Sequence, residues 1–204
     1  LSGGASFNYQ KAICENPRAQ TGDIMTKKKL SISISLTFLG LTLLSSAVYA
    51  QNPLPATDVY AGTIQNTVQE ARLESRTDTP IRTVDAGGHN VGIGVVQRAA
   101  GNTLGGALHN YVTEVYYMLE GIGTLVTGGD LIDPVVRGDA ASQVTLINGP
   151  GVSGSGISGG VSRVLRKGDM VIIPAGTPHW WSSVEESVVY TVVRVDPGQY
   201  VTLR

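Results

Sequence analysis

From Ile81 onward the chain is organised as short apolar–polar alternations rather than helical repeats. The runs are 81–86 (IRTVDA), 91–98 (VGIGVVQR), 114–120 (EVYYMLE), 122–127 (IGTLVT), 143–148 (QVTLIN), 161–166 (VSRVLR), 169–173 (DMVII) and 187–195 (SVVYTVVRV). Each is rich in β-branched or aromatic residues and bounded by Gly, Asp, Asn or Pro, which predicts strands separated by turns. So many short strands, with no strong helix among them, predict an all-β sandwich or barrel. Ahead of them, residues 51–60 read as an extended, Pro-containing leader. Residues 62–76 carry Ile64, Val68, Ala71 and Leu73 among polar residues, a weak amphipathic-helix pattern. The Gly/Ser-rich segment 149–160 (GPGVSGSGISGG) predicts a flexible surface loop, with a lid as the alternative.

One stretch resists the simple alternation. In GGALHNYVTEVYYMLEG (105–121), His109 and Glu114 are five residues apart. On one unbroken strand, with side chains alternating faces, they would point to opposite sides. They can meet only if the chain turns over Asn110 to Thr113 and the alternation restarts. A second stretch, GDMVIIPAGTPHWWSS (168–183), ends a strand at Pro174 and Gly176 and delivers His179 from a tight corner.

The upstream part has a different texture. Met25 to Lys29 is a positive start, Leu30 to Leu44 is mostly apolar, and Ser45 to Ala50 ends on small residues. That order is expected of a secretory signal peptide cleaved after Ala50, and the apolar run is short for a membrane span. Residues 1–24 are then expected to be upstream read-through or non-native sequence, 51–79 an N-terminal extension and 80–204 the folded domain. From Gln51 on there are ten Lys and Arg against fourteen Asp and Glu, a balance that gives no reason to expect nucleic acid or an anionic membrane as partner. The single cysteine, Cys14, precedes the signal, so a secreted or periplasmic product would rely on its core, a metal or a partner subunit rather than on disulfides.

Together the two site-like stretches resemble the cupin superfamily. Its first motif runs Gly, five residues, His, one residue, His, three or four residues, Glu, six residues, Gly. Here that gives Gly101, Ala107 in place of the first His, His109, Glu114 and Gly121. The second motif maps onto Gly168, Pro174, Gly176 and His179, with Ser183 where Asn is usual. The resemblance covers roughly residues 80–196 and implies an all-β fold, a cupin-type small β-barrel or jelly roll, with a short N-terminal helical or extended segment. It implies one divalent transition-metal ion held by His109, Glu114 and His179 inside the barrel. With Glu114 facing inward, Tyr116 and Met118 follow it, and Tyr116 is the residue placed to support the ligands. A buried carboxylate needs a metal or a cation, and no Arg or Lys lies near it in sequence, although a distant one could pair with it.

Two imidazoles and one carboxylate leave several positions open on an ion, an arrangement that suits iron, copper, manganese, zinc or nickel. The absence of a ligand at Ala107 should weaken affinity and open one position more. His89, in a Gly-Gly-His-Asn turn, is an exposed turn residue on its context and a replacement ligand only by moving. Metal acquisition outside the cytoplasm favours copper. Tyr111, Trp180 and Trp181 are expected at the rim, where aromatics could stack on a sugar or phenolic substrate, with core or dimer-contact roles as the alternative for the tryptophans. The implied functions are a metal-dependent redox enzyme using oxygen or peroxide, a non-redox isomerase, lyase or hydrolase, or a non-catalytic sugar or small-ligand binder. The first asks least of the surrounding residues, since no spare base lies in the motifs. Apolar residues on both faces of VYYMLE predict a covered outer face and a homodimer.

Overall fold

The computed structural model describes residues 53–204. The segments expected to be upstream sequence (1–24) and signal peptide (25–50) lie outside the described residues. Among the described residues, no helix is long and apolar enough to cross a membrane.

Helix α1 (Ala61–Leu73) buries Val68 and Ala71. Val68 packs on Val95 and Val189, with Ile64, Ile81 and Leu119 around them. Leu73, expected on the apolar face, is instead exposed at the helix end. Thirteen strands follow: β1 (Asp78–Asp85), β2 (Asn90–Arg98), β3 (Ala107–His109), β4 (Thr113–Glu120), β5 (Ile122–Thr127), β6 (Asp130–Ile132) and β7 (Val135–Val136). After them come β8 (Gly151–Ser153), β9 (Gly156–Ser158), β10 (Val161–Arg166), β11 (Met170–Ile173), β12 (His179–Val184) and β13 (Val188–Asp196).

Two sheets carry the fold, in the orders β1-β2-β13-β4-β11 and β10-β5-β12-β3-β8-β7, and β6 pairs with β9 in a small third sheet. All the pairings are antiparallel. The core lies between the two large sheets. Val96, Tyr116, Met118, Val171, Ile173, Tyr190 and Val192 enter it from the first sheet, and Leu125, Leu165, Trp181 and Val184 from the second. This is the jelly-roll arrangement in which each sheet covers the other's apolar face.

Two sequence expectations are corrected. Residues 143–148 do not form a strand: Val144–Asn148 is a single π-helical turn, and the Ala141 carbonyl accepts from both Val144 and Thr145. Local bonds there satisfy the backbone that the alternation would have sent to a sheet partner. The Gly/Ser-rich 149–160 segment is not a plain loop, because it supplies β8 and β9. Its glycines serve close packing: a Cβ on Gly151 would run into the Leu108 carbonyl of the neighbouring strand. Composition alone does not separate a glycine used for mobility from one used for approach.

Candidate metal centre

The turn after His109 changes sheets. β3 ends at His109 in the six-stranded sheet, the chain bends through Asn110 and Tyr111, and β4 opens at Thr113 in the five-stranded one. His109 and Glu114 therefore face each other across the core, which resolves their parity. His179 begins β12 beside β3, paired with Ala107. Inward alternation along β4 buries Glu114, Tyr116 and Met118 together, as expected. On β12 it puts Trp181 on the His179 face, and a bulge between Trp181 and Ser183 returns Val184 to the core.

Glu114 Oε2 lies 3.4 Å from Nε2 of His109 and 3.4 Å from Nε2 of His179, and all three side chains are buried. The three donor atoms fall within 4.8 Å of one another. A tetrahedral ion about 2.1 Å from each donor would separate them by about 3.4 Å, so the set has the right span. They line a cavity of about 320 Å³ together with Ala107, whose small side chain leaves space at the position of the missing histidine.

The carboxylate is held from behind. Arg194 Nε donates to Glu114 Oε1 at 2.8 Å, and the Tyr116 hydroxyl donates to Oε2 at 2.8 Å. The other edge of Arg194 forks onto Asp78, at 3.2 and 2.6 Å. Burial opposes ionisation of Glu114, but His109 and the Arg194 guanidinium hold its carboxyl well below the usual range. Burial likewise works against the Arg194 charge, and Asp78 and Glu114 more than offset it, raising that group further. The Tyr116 hydroxyl is pushed well up by burial and by Glu114, so it donates and does not act as a base at neutral pH.

The two imidazoles have different partners. His179 Nδ1 lies 3.1 Å from the Thr177 carbonyl, which only accepts, so Nδ1 carries the proton and Nε2 of the neutral ring bears its lone pair. Burial pushes His179 down to about 4, against the pull of Glu114, so the ring is neutral at pH 7. Its lone pair thus faces an ionised carboxylate oxygen, two acceptors that a shared cation would reconcile. A carbonyl fixing Nδ1–H behind a ligating Nε2 is a common support for metal histidines. His109 Nδ1 instead lies 3.0 Å from Nη1 of Arg137, which only donates, so the neutral ring carries its proton on Nε2. His179 is set as a ligand, and His109 must give up a proton or its arginine bond to become one.

Other sequence candidates lie elsewhere. Tyr111 is half exposed and stacks on Tyr200 at 4.8 Å. Trp181 is core, its Nε1 donating to the Tyr190 hydroxyl at 3.2 Å. Trp180 points to the other face, donating to the Thr103 carbonyl at 3.3 Å and lying against Gly156. None of the three is among the residues that line the cavity. His89 stays in the β1–β2 turn, outside the cluster.

Sequence reasoning missed the arginines. Arg194 was legible, because the alternation Tyr190, Val192, Arg194 puts a charge on the inner face of β13. Arg137 follows a two-residue strand in an irregular region and carried no such signal.

Residues 91–203 match the family model described as Cupin. No curated protein matches the chain. Among solved structures, a conserved protein with a double-stranded β-helix domain from Klebsiella pneumoniae is 16% identical with a TM-score of 0.36, over 60% of this chain and 80% of that one. A protein from Bacillus halodurans is 14% identical with a TM-score of 0.40, over 70% and 83%. An oxalate oxidase structure is 25% identical with a TM-score of 0.31, over 52% of this chain and 41% of its own.

Proposed function

Starting from the premise that this chain belongs to the cupin family, we propose that it is an exported metal-dependent oxidoreductase that uses oxygen or peroxide on a small molecule bound in the cavity. His109, Glu114 and His179 would hold one divalent transition-metal ion. The observation that carries this reading is the convergence of these donors in a cavity where, among the described residues, the carboxylates and tyrosine hydroxyls are already engaged or held protonated. Glu114 is engaged by Arg194 and Tyr116, Asp78 by Arg194, and the hydroxyls of Tyr116 and Tyr190 are both raised by burial. Isomerase or hydrolase chemistry needs a side chain that moves a proton. A bound ion would supply electron exchange and open positions for the oxidant.

The chain's own residues do the rest. Thr177 fixes the His179 ring, and Arg194 and Tyr116 orient Glu114 so that one oxygen faces the histidines. Ala107 leaves room beside them for oxidant or substrate. The two sheets exclude bulk water, which strengthens every charge inside. For an exported protein the affinity order favours copper, with iron, manganese and zinc as the other divalent choices. Pairing as a homodimer is supported by the outer face of edge strand β11, where Met170 and Ile172 are exposed beside Tyr117 of β4.

Elemental analysis of the exported protein tests the reading. The expected result is one redox-active metal per chain, lost in His179→Ala, with oxygen uptake or peroxide consumption when a reductant is supplied. Stoichiometric zinc without oxygen chemistry would move the assignment to non-redox catalysis, and no bound metal would remove it.

A further inference from the structure

Three arginines line the cavity: Arg98, Arg137 and Arg194. Two are fully engaged. Arg194 divides its donors between Glu114 and Asp78. Arg137 donates to Ser153, His109, Asn148 and the Val152 carbonyl. Arg98 differs, because its Nε and Nη1 are buried with no hydrogen-bond partner among the described residues. Arg98 as a residue is only half-buried, and burying two of its guanidinium nitrogens without a partner still carries a cost that a ligand could remove. The lining carboxylates, Asp78 and Glu114, both pair with Arg194, so by count the lining arginines exceed the carboxylates by one.

Arg98 also sits at a distinct level of the sheet. Arg194 of β13 is paired with Glu114 of β4, and Arg98 of β2 with Val188 of β13. Val96 and Tyr190, paired with each other, lie on the cavity wall between those levels. A ligand entering here meets a free guanidinium at one end, an apolar and aromatic wall along its body and the donor cluster at the other.

We propose that Arg98 is the anchor for a small organic carboxylate, which makes the substrate an organic acid rather than a neutral sugar or phenol. This rests on reading the cavity as the substrate site. The planar fork of a guanidinium matches the two oxygens of a carboxylate, whose single charge equals the surplus of the lining side chains in the metal-free cavity. A phosphate monoester would bring nearly two charges at neutral pH.

The test measures binding of the monocarboxylates lactate, acetate and propionate to the full-length exported protein by calorimetry and thermal shift. Lactamide, acetamide and propionamide serve as neutral counterparts and glycerol phosphate as the alternative anion, with the metal loaded and with it chelated away. Carboxylates should bind in both states, at least about tenfold tighter than the amides, and Arg98→Ala should remove that preference. Arg98→Met should raise the melting temperature of the ligand-free protein, because it replaces two buried, unpartnered donors with an apolar chain. A structural arginine would give the opposite shift. Equal binding of acid and amide, a preference for glycerol phosphate, or no Arg98-dependent response to any carboxylate overturns the proposal. Carboxylate binding that needs the metal and ignores Arg98→Ala sinks the anchor and leaves the metal reading intact. Arg98-dependent binding in a protein that takes up no metal does the reverse.

Discussion

His109 and His179 reach Glu114 Oε2 at the same distance, 3.4 Å, from adjacent strands of one sheet, yet they are differently prepared. Behind His179 stands the Thr177 carbonyl, and behind His109 the Arg137 guanidinium. The first partner leaves the inward nitrogen free to donate a lone pair, and the second leaves a proton on it. Equal distances therefore conceal unequal readiness, and the atom on the far side of each ring decides what the near side can do.

The sharpest way to break this comparison is through the group both rings share. Glu114→Gln should destabilise the protein by about 3 kcal/mol, the lower end for breaking a buried pair because Asp78 still holds Arg194. It should also abolish metal uptake; denaturant melts and metal analysis of the same sample check both. Next come the rings themselves. His179→Ala should weaken metal binding by about a hundredfold or more and His109→Ala by about tenfold, measured by competition with a chelator. Equal losses would end the distinction.

The effect of pH on the metal-free protein is of similar size and comes from His179. The unfolded chain protonates this histidine near 6.5, whereas the folded protein resists until about 4. Between those values the unfolded state holds more protons, so stability should fall as the pH drops from about 6.5 to 4, by about 3 kcal/mol at most. Glu114 adds a further loss below its ordinary range, since its folded carboxyl is the one held low. His179→Asn should flatten the first part of the curve, and a slope unchanged in that variant would show that another group carries it. The smallest expected effect separates the tryptophans. Trp181→Phe should cost about 1 kcal/mol through the lost bond to Tyr190, and Trp180→Phe should leave metal content and turnover unchanged.

Much of the fold was legible because its long strands alternate. β2, β4, β5, β10 and β13 stand within a residue of their expected spans, and the intervals that placed His109, Glu114 and His179 in one motif placed them in one cluster. β6 to β9 escaped notice for a physical reason: two or three residues do not display a period. The carboxylate's main partner also escaped, since pairing with Arg194 depends on β13 lying next to β4, which is topology rather than sequence distance. Parity correctly required one tryptophan to share the His179 face. It could not reveal that this face, one step beyond the histidine, is already packed core.

The change of sheet at Asn110 gives the cluster a mechanical consequence. His109 and His179 belong to one wall and Glu114 to the other, so any cation gripped by all three would clasp the walls together. It would also close the long loop of chain from Glu114 to His179, restricting the unfolded protein much as a cross-link does. In a chain with no cysteine beyond Cys14, loading would then act as a reversible substitute for a disulfide, with a melting temperature that climbs with the concentration of free ion.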